Sequence, residues 1–121
     1  MGLRMSGVTL DALRSFALSL PESAESPHFD SASLRVRGKI FVTVPPEAEH
    51  ARVFVDDDET AAAVARFPEA YEVLMWGKKQ WGVKARLSCS PTDDLFELVE
   101  EAWRRKAPKR IAAAYDSSRG D

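Results

Sequence analysis

Two short runs of alternating side chains, each closed by a glycine-lysine turn, constrain this chain more than any other feature in it. Ser33-Leu34-Arg35-Val36-Arg37 alternates polar and apolar residues, Gly38-Lys39 turns, and Ile40-Phe41-Val42-Thr43-Val44 is β-branched and aromatic. Tyr71 to Trp76 and Trp81 to Leu87 repeat the arrangement around Gly77-Lys78-Lys79-Gln80. Connections this short join antiparallel neighbours, because a parallel crossover needs a dozen or more residues. The chain is therefore predicted to carry two β-hairpins.

Helical patterns separate and flank them. Thr9 is placed to cap a helix over Leu10 to Leu20, in which Leu13, Phe16, Ala17 and Leu20 recur at helical spacing before Pro21 ends it. Residues 21–32 are polar, hold two prolines and read as a loop. Arg52 to Val55 reads as a third strand after the first hairpin. Asp57 or Asp58 then caps a helix to about Phe67. Ser90-Pro91-Thr92-Asp93 reads as an N-cap, a first-turn proline and a capping-box acid. Leu95, Leu98, Val99, Ala102 and Trp103 line one face of the helix that follows, and a last turn over Arg110 to Tyr115 succeeds Pro108. The predicted order is α-β-β-β-α-β-β-α. It corresponds to an α+β two-layer domain, with an antiparallel five-stranded sheet and helices packed on it. The 121 residues suit one domain over 1–121, folded from about 8 to 115, with 116–121 as a tail.

Charge and composition exclude several classes. Seventeen basic and nineteen acidic residues give a net charge of −2, which argues against a strongly basic nucleic-acid binder. The charge is uneven, however. Residues 76–110 hold nine basic and five acidic side chains, net +4, whereas residues 1–75 hold seven and twelve, net −5. The single cysteine, Cys89, excludes an intramolecular disulfide and has no resolving partner. No apolar run approaches the roughly 20 residues of a membrane span. The N-terminal MGLRMSGVTL lacks the apolar segment of a signal peptide. These features predict a cytoplasmic protein with no membrane segment.

Four segments in this order resemble the MmcQ/YjbR-like family: Pro27-His28-Phe29, Gly38-Lys39-Ile40-Phe41, the W-G-K-K-x-W run from Trp76 to Trp81, and Ala107-Pro108-Lys109-Arg110. The resemblance extends from about Leu10 to Ile111. It implies an α+β fold similar to that of type III secretion chaperones. It also implies a DNA-binding label drawn from a double-wing likeness of the hairpins, with no established enzyme activity and no cofactor.

The residues themselves support two readings. In the first, Lys78 and Lys79 at a hairpin tip meet phosphates. Lys84 and Arg86 stand beside them on one strand face, Arg35, Arg37 and Lys39 extend the surface from the other hairpin, and Trp76 or Trp81 stacks on an unpaired base. Such binding to DNA would be weak and salt-sensitive. In the second, Lys78 and Lys79 are a solvated turn and the tryptophans pack across the hairpin. An apolar patch including Trp76, Trp81 or Trp103 would then hold an unidentified protein or small molecule. The late cluster Arg104, Arg105, Lys106, Lys109 and Arg110 would extend a phosphate surface. It is equally what a helix C-terminus favours, and Glu97, Glu100 and Glu101 lie at pairing distance along the helix.

Catalytic signals are missing. The chain has no GxGxxG, Walker A, GxSxG or HExxH pattern. His28, His50 and Cys89 do not make a zinc set. Asp56-Asp57-Asp58 lacks calcium-loop spacing and reads as a helix N-terminus. No enzyme activity and no metal are expected, and the oligomeric state is left open.

Overall fold

Among the described residues, six strands, each antiparallel to its neighbours, form one sheet in the order β1-β2-β3-β4-β6-β5. The computed structural model describes residues 7–28, 31–47 and 49–119, without the side chains of His28 and Arg119. Phe29 of the family-like motif lies outside them. The elements are α1 (Leu10–Ser19), β1 (Ser23–His28), β2 (Ser31–Val36), β3 (Lys39–Val44), β4 (His50–Val53), α2 (Asp57–Arg66), β5 (Tyr71–Trp76), β6 (Lys79–Arg86), α3 (Thr92–Lys106) and α4 (Lys109–Arg119).

Both expected hairpins are present. The β2–β3 turn uses Arg37 and Gly38, at φ 53° and 83°, the backbone twist that suits a two-residue hairpin. The β5–β6 turn is also only two residues long. Gly77 takes φ 64°, and Lys79 already belongs to β6, paired with Trp76. The four-residue tip expected from the sequence is thus shorter. Residues 21–32, expected to be a loop, contain β1, so the sheet has six strands rather than five. β1 occupies the sheet edge. None of its described side chains is buried, so no apolar alternation marks it, and an edge position tolerates Pro27.

Core residues project from one face of the sheet. Leu34, Val36, Val42, Val44, Ala51, Val53, Val83 and Ala85 are buried together with Leu13 and Ala17 of α1, Ala63 of α2, and Leu95, Leu98, Val99 and Trp103 of α3. Between β2 and β3 the register steps from Leu34–Val42 to Arg35–Ile40, which leaves Phe41 as an extra residue. That bulge lets two consecutive residues, Phe41 and Val42, both enter the core. Across the sheet the helices follow the order α1, α3, α2: α1 packs on β1 and β2, α3 on β2 to β4, and α2 on β5 and β6.

Side-chain caps open α1 and α2, but the capping box expected at the start of α3 is absent. Thr9 accepts from the Ala12 amide at 3.0 Å. Asp56, one residue earlier than expected, accepts from the Glu59 amide at 2.8 Å. Pro91 rather than Ser90 is the N-cap of α3, because the fully buried Ser90 hydroxyl donates to the Arg86 carbonyl at 2.7 Å. α4 is longer than the single turn expected and runs through Arg119, so residues 116–119 of the expected tail are helical. Its Ile111 and Ala112 are buried in the core, and it meets α3 through a Tyr115 hydroxyl that donates to Glu100 at 2.6 Å.

A polar clamp joins α2, β5 and α3. The Tyr71 hydroxyl donates to Asp94 at 2.7 Å, and Arg66 donates to both Asp94 oxygens. Burial, and then the bond to the Asp94 carboxylate, push the Tyr71 phenol above its usual range. Asp94→Ala should destabilise the fold by about 1–3 kcal/mol, because it leaves a buried hydroxyl without an acceptor. In urea unfolding, adding Tyr71→Phe to that variant should recover part of the loss.

A cationic aromatic groove on the outer sheet face

Opposite the core, the sheet carries a polar row that crosses every strand. Ser26, Ser33, Thr43, Arg52 and Lys84 are successive cross-strand partners, and Glu72 completes the row beside Lys84. This follows from strand alternation: the neighbours of Val53, Val83 and Ala85 must point away from the core. Near β1 the row is tied down. Arg35 donates to the Ser33 hydroxyl at 3.0 Å, and Ser33 donates to the Ser26 carbonyl at 2.7 Å.

An open groove runs over this face toward the β5–β6 hairpin and the end of α3. Of the residues singled out in the sequence, it gathers Arg35, Lys39, Trp76, Lys78, Lys79, Trp81 and Lys84. Arg37 and Arg86 are not in its lining. The positive φ of Arg37 turns it onto Glu22, with the ion pair at 2.7 Å. Arg86 is exposed at the far end of β6, opposite His50.

Three basic residues outside the hairpin set also line the groove: Arg52, Arg105 and Lys106. Arg52 was legible as the polar partner of Val53 in an alternating strand. Arg105 and Lys106 belong to the late basic cluster, but only the length and direction of α3 bring them here. Arg105 is held by a bond from its guanidinium to the Phe54 carbonyl at 2.8 Å. Burial, then the charges of Arg105 and Lys39, push the Lys106 ammonium below the usual lysine range. The rest of the late cluster does not contribute. Arg104 is paired with Glu101, Asp116 and Glu100, and Lys109 and Arg110 do not line the groove.

Among the described residues, Lys84 is the one groove cation within ion-pair distance of a carboxylate, Glu72 at 3.5 Å. The groove is not uniformly basic, because Asp56, Asp57 and Asp58 at the N-terminus of α2 share its wall. Glu97 to Glu101 do not. The apolar residues Leu74, Met75 and Phe54 supply further surface. Trp76 is 77% exposed and Trp81 46% exposed, so the two rings do not pack across the hairpin as a buried pair. Trp81 instead meets the edge of Phe54, with ring centres 6.4 Å apart, and Lys79 lies over its ring at 5.5 Å. The third tryptophan, Trp103, is wholly buried and offers no exposed patch.

Chemically, this surface attracts anions and presents flat aromatic area. Among the described residues no group of three or more His, Cys, Asp or Glu side chains is placed to hold a metal ion. Cys89 donates its thiol to the Glu69 carbonyl. Among the same residues no helix is long and apolar enough to cross a membrane.

The YjbR family model matches residues 18–105, and the chain belongs to that family. A similar fold occurs in the crystal structure of a Deinococcus radiodurans protein with a DUF419 domain. The TM-score is 0.68 at 22% identity, over 84% of this chain and 80% of that one. No curated protein matches the sequence.

Proposed function

We propose that this YjbR-family chain is a non-catalytic DNA-binding module whose ligand lies along the outer-sheet groove. The observation that carries the reading is the gathering of Arg35, Lys39, Arg52, Lys78, Lys79, Lys84, Arg105 and Lys106 on one surface, with a single described carboxylate partner among them. A chain of net charge −2 has no reason of overall composition to concentrate cations there. Local charge is what phosphate responds to. Among the described residues only the ends of α2 and α3 line the groove, so binding should be largely independent of sequence and governed by counterion release.

Fluorescence anisotropy of labelled DNA at low and at moderate salt tests the proposal. Wild type should bind at low salt and weaken steeply as salt rises. A folded Arg52→Glu/Lys78→Glu/Lys79→Glu variant should lose at least about tenfold in affinity, since each reversal replaces a phosphate attraction by a repulsion. Absence of binding at low salt would overturn the reading.

A second reading is favoured by Asp56, Asp57 and Asp58 on the same wall, next to the apolar Leu74 and Met75. A protein segment with both basic and apolar side chains would suit that mixture. Its affinity would be unchanged by the three reversals or raised by them, which separates it from the first.

A further inference from the structure

We infer that the ligand of the groove is a single strand of nucleic acid, with bases lying on Trp76 and Trp81 and a phosphate seated among Lys39, Arg105 and Lys106. This rests on the nucleic-acid reading above and narrows it to one class of ligand.

The first observation is aromatic. Trp76 stands 77% exposed beside a two-residue turn, and among the described residues its ring makes no ring contact. Trp81 is 46% exposed and braced at its edge by Phe54. Large exposed indoles are costly surface unless something covers them. In a duplex the base faces are already stacked on one another, so lysines would meet phosphates while the indoles met nothing. An unpaired strand offers both partners at once, a backbone for the cations and a free π-face for each ring.

The second observation is electrostatic. Lys39 from the β2–β3 hairpin meets Arg105 and Lys106 at the C-terminal end of α3. Among the described residues none of the three has a carboxylate within ion-pair distance. Arg105 is fixed by its bond to the Phe54 carbonyl, so the cluster does not simply splay into solvent. Burial of Lys106, and then the charges of Arg105 and Lys39, lower its proton affinity. A phosphate oxygen bound there would offset the repulsion with an opposite charge. Phe54 links the two halves of the site, since its carbonyl holds Arg105 and its ring braces Trp81.

The test compares a labelled short oligothymidylate with a duplex of the same length, for wild type, Trp76→Ala/Trp81→Ala and Lys39→Gln/Lys106→Gln. Each variant is first checked for an unchanged melting profile by circular dichroism. The single strand should bind at least about tenfold more tightly than the duplex, and binding should quench tryptophan fluorescence. The tryptophan variant should lose roughly tenfold or more for the single strand and little for the duplex, because stacking acts on unpaired bases. The lysine variant should weaken both ligands and flatten the salt dependence. Equal affinity for both ligands, untouched by the tryptophan changes, would overturn this inference and leave the phosphate reading standing. Unchanged affinity and salt slope in the lysine variant would overturn the phosphate seat. Binding of neither ligand would overturn both readings.

Discussion

Gly82→Ala is expected to unfold a large fraction of this protein, or to lower its stability by about 3 kcal/mol or more. Gly82 sits in β6 with φ 144°, a conformation that L side chains rarely adopt. A Cβ there would lie 2.1 Å from the Val53 carbonyl oxygen and 3.0 Å from both the Phe54 Cα and the Val55 amide nitrogen. All three are backbone atoms at the end of β4, so no side chain can swing aside. Relief requires β4 to move off β6 at the centre of the sheet, where Ala51, Val53, Val83 and Ala85 are buried. A domain of this size has only about 5–15 kcal/mol of stability to lose. Gly38→Asn is the control. Gly38 also has positive φ, 83°, but a Cβ there meets nothing within 4 Å, and asparagine tolerates such turns. Its cost should stay below about 1 kcal/mol. Urea midpoints for the two variants check the contrast, and a Gly82→Ala midpoint equal to wild type would refute the close-approach argument.

Trp103→Ala is expected to cost about 3–5 kcal/mol. Trp103 is wholly buried in α3, and its ring edge meets Tyr115 of α4 with centres 5.1 Å apart. Its indole N–H donates to the Pro21 carbonyl at 3.0 Å, which ties α3 to the chain between α1 and β1. Truncation empties the largest buried side-chain volume in the described core and removes the donor from Pro21. Trp103→Phe keeps much of the volume and loses the hydrogen bond, so about 1–2 kcal/mol is expected. If alanine and phenylalanine proved equally costly in thermal unfolding, the hydrogen bond and not the packing would dominate. Because Trp103 is remote from solvent, neither change should alter the ligand selectivity of the groove.

These two sites show how unevenly the sequence speaks. The apolar face containing Trp103 was legible from spacing, since Leu95, Leu98, Val99, Ala102 and Trp103 recur at helical period and all are buried. Gly82 was merely one of two glycines near a lysine turn. Its importance comes from the path of residues 53–55, which pass against it from elsewhere in the chain. β1 escaped notice because none of its described side chains is buried, so no apolar period marks it. Its pairing is supplied by β2, from Ser23 opposite Val36 to His28 opposite Ser31.

The candidate site divides the same way. Lys78, Lys79, Lys84, Trp76 and Trp81 were found because a hairpin places nearby residues together by local geometry. Arg37 does not line the groove, because a turn residue at positive φ leaves the face of its strand and here reaches Glu22. Arg86 shares a strand face with Lys84, but it lies at the other end of β6, beyond the groove.

By itself, the sequence determined what is local: two antiparallel hairpins, three helices with the buried stripes of α1 and α3, and the absence of catalytic patterns. Short-range dihedral preferences and side-chain periods act within a few residues and need no knowledge of the rest. Only the tertiary structure decided which charges meet. Lys39, Arg105 and Lys106 come from different ends of the chain, and Asp56 to Asp58 intrude on their groove from α2. Charge order along a chain carries no information about such encounters. Strand order and helix length set them, and these are fixed when the whole core packs.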